Sequence, residues 1–112
     1  MVIGITPAQQ MALADAQLAV LAGRVAAVLT SEAGMAPSAE LDRKVAAWLR
    51  EGRDGGVESE LDLARLCLVL AEVDARGKRP SSVQDRLGDP DVGGELKVFQ
   101  VAHAWAEHLD GR

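Results

Sequence analysis

Apolar residues recur at helical spacing along most of this chain. In residues 5–34, "ITPAQQMALADAQLAVLAGRVAAVLTSEAG", Met11, Ala14, Leu18, Leu21, Val25 and Val28 follow at spacings of three and four, an apolar stripe along one helix face. Thr6 is placed to cap this helix, Pro7 to occupy its first turn without wasting a donor, and Gln9 to close a capping box with Thr6. Gly34 and Pro37 stop it, so a helix is predicted over about 7–33. Leu13, Val20 and Ala27 lie off the stripe and offer a second contact face, while Gly23 weakens the helix slightly.

Ser38 opens a second helix over about 38–51, with Leu41, Val45, Trp48 and Leu49 inward and Asp42, Arg43, Lys44, Arg50 and Glu51 outward. "GRDGG", residues 52–56, carries too many glycines to extend it and is predicted as a turn. The next stretch, "GVESELDLARLCLVLAEVDARG", has Ser59 as a cap, acids at Glu58, Glu60 and Asp62, and basic residues at its exit. Both ends suit the dipole of a helix over about 59–76. Asp62, Arg65, Glu72 and Arg76 form a narrow polar stripe on it. Leu61, Leu63, Ala64, Leu66, Cys67, Leu68, Leu70, Ala71 and Val73 fill most of the remaining circumference, the pattern of a central helix.

Ser81 or Ser82 is expected to cap a short helix over 82–87, and a last helix over 94–109 would place Val98, Phe99, Val101, Ala102, Trp105, Ala106 and Leu109 on one face. The leading "MVIGI" suggests at most a short extended segment, and no alternating run is bounded by hairpin turns. The expected fold is all-α: one domain over 1–112, a bundle of four main helices plus a short fifth.

Composition narrows the function classes. With 112 residues, 48% of them hydrophobic, the chain has material for a core without disulfides or a structural metal. The lone cysteine suits a reducing compartment. "MVIGITPAQQ" does not resemble a secretory signal and no unbroken apolar run approaches the ~20 residues of a membrane span, so a cytoplasmic protein without a membrane partner is expected. Acids outnumber bases 17 to 12, a formal charge of −5, which opposes binding to phosphate backbones; aromatics at 3% leave little for base stacking. Nucleic acid is not an expected partner.

The candidate chemical groups are few. Cys67 sits mid-helix among leucines, without the helix N-terminus, cation or paired histidine that lowers a thiol pKa, and reads as a buried structural thiol. His103 and His108 point about 140° apart around their helix, unlike a zinc pair at spacing three or four, and His103 is placed to reach Glu107. In "DPDVGGE", Asp89, Asp91 and Glu95 suggest a calcium loop, but an EF-hand's closing acid would fall at Gln100. "GRDGG" and "VGG" lack the lysine and the strand context of a phosphate loop. No cofactor, metal or catalytic residue is expected, and the chain reads as a non-enzyme.

Taken in order, "ITPAQQMALADAQLAVLAGRVAAVL", "LDRKVAAWLREG", "GVESELDLARLCLVLAEVD" and "DPDVGGELKVFQVAHA" resemble a group of small all-helical bacterial proteins encoded beside spike and PAAR-type components of type VI secretion systems. The likeness spans most of the chain and rests on helix caps and leucine patterns. It departs at residues 75–88, where "ARGKRPSSVQDRLG" replaces a stretch that in the group usually has a tryptophan after proline. The link between the first two helices is also shorter. The resemblance implies a non-catalytic protein-binding module, an adaptor, chaperone or immunity protein whose partner is an effector, toxin or secretion spike component. The outer face of the second helix and the irregular segment, with Arg50, Arg53, Lys78, Arg79, Arg86 and Asp89, are the expected contact region. The alternative is a homo-oligomeric helical domain whose apolar excess is buried between copies.

Overall fold

The computed structural model describes residue 4 and residues 6–111, with the side chains of 11–14 excepted. The expected lead-in at 1–5 and the placing of Met11, Leu13 and Ala14 therefore lie largely outside the described residues. Five helices follow one another: α1 (Pro7–Glu32), α2 (Ala39–Asp54), α3 (Glu60–Ala75), α4 (Ser81–Leu87) and α5 (Gly94–Asp110). Among the described residues there is no strand, and the all-α class holds.

The caps explain where the helices start. Thr6 Oγ1 accepts from the Gln9 amide at 3.1 Å while Gln9 Oε1 accepts from the Thr6 amide at 2.9 Å, closing the box at the head of α1. Ser38 and Ser59 cap α2 and α3 by accepting from Leu41 N and Asp62 N. At α4 the expected serine cap is absent: Pro80 holds the N-cap position, and both serines belong to the helix.

α2 runs on through Gly52 to Asp54, where a turn was predicted. Gly52 is buried against α3, and a Cβ there would stand 2.9 Å from the δ-carbons of both Leu63 and Leu66. The missing side chain lets two helices close together, and their packing outweighs glycine's intrinsic cost of about 1 kcal/mol in a helix.

α3 packs against α1, α2 and α5, and α4 packs on α5. The core joins Leu21, Val25 and Leu29 of α1 with Val45, Trp48 and Leu49 of α2, Leu63, Leu66, Cys67 and Leu70 of α3, Val83 and Leu87 of α4, and Val101 and Trp105 of α5. Three details differ from the helical wheels. On α1, Leu29 and Ala26 are buried and Val28 is exposed; on α3, Leu61 and Leu68 are exposed; on α5, Lys97 is buried while Phe99 and Ala106 face outward.

Among the described side chains of α1, buried positions begin at Leu21, with Leu18 half-buried before it. By length and composition α1 as a whole is apolar enough to cross a membrane, although no unbroken run suggested it, and only 20% of its most apolar stretch is buried. Its second half is held in the core, however. Residues 7–20 span about 21 Å at 1.5 Å per residue, short of the ~30 Å of hydrocarbon in a bilayer.

Candidate functional site

The candidate chemical groups named by the sequence are placed as follows. Cys67 is wholly buried on the α3 face toward the core, and that burial pushes its thiol up to about 12. A thiolate is therefore scarce at neutral pH, and reagent has no path to it. A thiol reagent at pH 7.5 is expected to leave the native protein unlabelled over minutes and to label it at once in denaturant; rapid native labelling would contradict this placement.

His103 and His108 do not converge. His103 Nε2 lies 2.8 Å from Glu107 Oε1 on an exposed helix face and its ring stacks on Phe99, while His108 stacks on Trp105. The "DPDVGGE" segment is a turn in which Asp89 Oδ1 accepts from Asp91 N at 2.9 Å. Among the described residues no group of three metal-ligating side chains forms.

Lys97, which no sequence pattern marks, is buried on α5. Its ammonium donates to Leu87 O at 2.7 Å and to Asp89 O at 2.8 Å, the carbonyls at and beyond the end of α4. Burial lowers its pKa, with the Asp89 charge opposing. Glu51, Asp54, Gly55, Asp91 and Gly93 line a cavity of about 500 Å³ beside it. Gly93 lies against Gly56, where a Cβ would stand 2.9 Å from the Gly56 carbonyl, and Gly94 N donates to that same oxygen at 3.0 Å. Lys97 thus ties the end of α4 and the following turn to α5, while these glycines tie the α2–α3 turn to the start of α5.

Of the six residues expected to contact a partner, Arg50, Lys78 and Arg86 are exposed, while Arg53, Arg79 and Asp89 are half-buried. Arg79 is largely enclosed: its guanidinium donates to both Asp74 oxygens, at 3.1 and 2.8 Å, to both Glu51 oxygens, at 2.8 and 3.3 Å, and to Gln84 Oε1 at 3.0 Å. Trp48 Nε1 donates to Asp74 Oδ2 at 2.8 Å, so one arginine joins α2, α3 and α4. Burial alone would raise the Asp74 carboxyl. The bonds from Arg79 and Trp48, with the charges of Arg79 and Lys44, together outweigh it and hold the group below the usual carboxylate range. Bonding to Asp74 and Glu51 correspondingly raises Arg79.

Arg53 pairs with Asp15 of α1 at 3.6 Å, and Arg50 and Lys78 are exposed. Asp89 is half-buried and serves Lys97 through its carbonyl. Arg86 borders a hollow of about 280 Å³ between α4 and α5, with Phe99, 63% exposed, and Gln100, whose buried Oε1 has no partner among the described residues.

A different surface stands out. α1 and α3 enclose an open, mainly apolar groove of about 270 Å³ lined by Leu21, Val25, Val28, Leu61, Ala64 and Leu68, with Arg24 and Glu60 also on its walls. Leu61 is 60% exposed; Val28 and Leu68 are exposed as well, and Val20, at 58%, continues the surface along α1. Large aliphatic residues scattered singly on a surface are ordinary, whereas here several flank one groove. The wheel of α3 placed Leu61 and Leu68 with the core leucines. The available signal was their position at the margin of the apolar arc beside Arg65, with too few neighbouring helices to cover both margins.

Comparison of the chain with protein-family models, with curated proteins and with solved structures finds no match.

Proposed function

We propose that this protein is a non-catalytic protein-binding module that engages its partner through the α1–α3 surface, serving as an accessory adaptor, chaperone or immunity protein in type VI secretion. The observation that carries it is the apolar groove flanked by exposed Leu61, Leu68, Val28 and Val20 on two long helices. Helices provide a stiff platform, and an apolar groove between two of them suits an amphipathic helix laid into it, with anchors spaced three, four and seven residues apart. Internal occupation of Cys67, Lys97 and Arg79 supports binding over catalysis. The secretion setting comes from the resemblance of the helix caps and leucine patterns. The basic residues Arg50, Lys78 and Arg86 would act at most as peripheral contacts, where rim charges mainly change association rate and salt dependence.

Affinity capture from cells that produce the protein tests both parts. The wild-type chain is expected to recover a spike, PAAR-type or toxin protein, identified by mass spectrometry, and Leu61→Asp/Leu68→Asp to reduce that recovery at least about tenfold, the size of effect for central apolar anchors. Both positions are exposed, so the variant should keep its helical circular dichroism. Undiminished recovery by the variant would remove the groove from the proposal, and recovery of no such protein under secretion-inducing conditions would remove the secretion role.

A further inference from the structure

We infer that the α1–α3 groove is closed in the free protein by a second copy of the same chain, paired antiparallel across α1 about a two-fold axis. This rests on the reading of that groove as the binding surface and names its occupant when no partner is present.

The first reason is that α1 carries both halves of a contact. From Leu21 onward its side chains wall the groove, and just before it Val20, one turn ahead of Arg24, is 58% exposed on a helix whose most apolar stretch is only 20% buried. Donor segment and acceptor groove thus adjoin on one helix. If two α1 helices run antiparallel with the axis near Leu21, the exposed segment of each copy lies over the groove of the other. A two-fold interface must be self-complementary in this way, since the same patch faces itself.

Charge supplies the second reason. Arg24 and Glu60 are the two charged residues of this groove, they have opposite signs, and among the described residues neither forms an ion pair. Glu60 stands at the end of the groove where α3 begins, since it shares with Leu21 the neighbouring hollow of about 100 Å³ that Gln17 and Leu18 also line, and Arg24 follows Leu21 by about one turn along α1. An axis near Leu21 therefore sets Arg24 of each copy beside Glu60 of the other, forming two equivalent pairs. A one-sided partner would need to bring its own acid and base in matching positions; a second copy already has them.

Size agrees with a specific contact. Overlap of about 20 residues along α1 gives a strip roughly 30 Å long, and two neighbouring helices make it roughly 20 Å wide. That is of the order of the ~800 Å² of accessible surface per partner in a standard interface.

Sedimentation of the purified chain from about 1 to 100 µM, with charge reversal, is the test. Wild type is expected to approach twice the 11.8 kDa chain mass as concentration rises. Arg24→Glu and Glu60→Arg singly should each weaken dimerisation at least about tenfold, and the double swap should return it to within about threefold of wild type, because like charges then become opposite again. Because Glu60→Arg also sets a cation at a helix N-terminus, Leu61→Glu is measured alongside: it should be monomeric, with the melting temperature of wild type diluted to monomer. A chain monomeric throughout the range, or a double swap no better than its weaker single, would overturn the dimer. Undiminished capture of a secretion partner by such a monomeric protein would leave the proposed binding function standing, which separates the two failures.

Discussion

Lys97→Ala is expected to cost about 3 kcal/mol of folding stability and to lower the melting temperature by about 12 °C, taking about 4 °C per kcal/mol for a chain of this length. The ammonium has no exposed surface and donates to the carbonyls of Leu87 and Asp89. Alanine leaves the Leu87 carbonyl without its donor, leaves Asp89 O with the 3.4 Å bond from Val92 N, and opens the space of the four-carbon stem beneath α4. Lys97→Met keeps most of that volume and should cost about half as much, so the difference between the variants separates packing from carbonyl satisfaction. Thermal and urea denaturation of the three proteins measures it, and a loss below about 1 kcal/mol for alanine would show that water replaces the ammonium. The pH dependence has a definite sign. Burial lowers the folded-state pKa of Lys97 from 10.5, so the unfolded chain binds more protons in the window just below that value, and this group makes stability rise with pH there. Cys67 acts oppositely: its pKa rises from 9.0 to about 12 on folding, and its contribution is lost as pH climbs through that interval.

Arg79→Ala should be the second most damaging of these changes, at about 2 kcal/mol. One planar guanidinium serves Asp74, Glu51 and Gln84, and its loss leaves the Asp74 carboxylate with Trp48 as its remaining side-chain donor. Breaking an enclosed pair by removing one member typically costs 3–5 kcal/mol; the partial exposure of Asp74 and Glu51 reduces that here. Arg79→Lys should recover less than half, because a point charge cannot span three acceptors in a fixed fork. The folded-state pKa of Asp74 is lowered, so the stability it contributes is present above its ordinary value of 3.8 and disappears as pH falls below it. Wild type should therefore lose stability as pH falls below 3.8 more steeply than Asp74→Asn, as melting curves at stepped pH would show. Equal slopes would mean that the carboxylate is not held by this network.

Much of the local structure was legible because it depends on neighbours a few residues apart. Thr6 with Gln9, Ser38 and Ser59 signalled three helix starts, and Glu72 with Arg76 and His103 with Glu107 pair as their spacing of four requires. Gly52 misled because its use lies in the approach of Leu63 and Leu66, contributed by another helix. Arg79 resembled a free surface charge for the same reason: Glu51 lies 28 positions away, and no local pattern marks the pair. Lys97 left a faint trace in sharing a face with Val101, Ala104 and Trp105, but one polar residue in such a row does not reveal whether carbonyls await it.

The sequence by itself determined that the chain is helical, where most of its helices begin, and that Cys67 faces the core. Those properties follow from caps, dipoles and periodicity, which act within a turn or two of the backbone. Tertiary structure alone decided which apolar residues remain outside. The wheel of α3 supplies more apolar arc than α1, α2 and α5 cover, and α1 extends past the core it packs against. The uncovered remainder at Val20, Val28, Leu61 and Leu68 thus depends on helix placement, because burial belongs to the arrangement of several helices and periodicity belongs to each one alone.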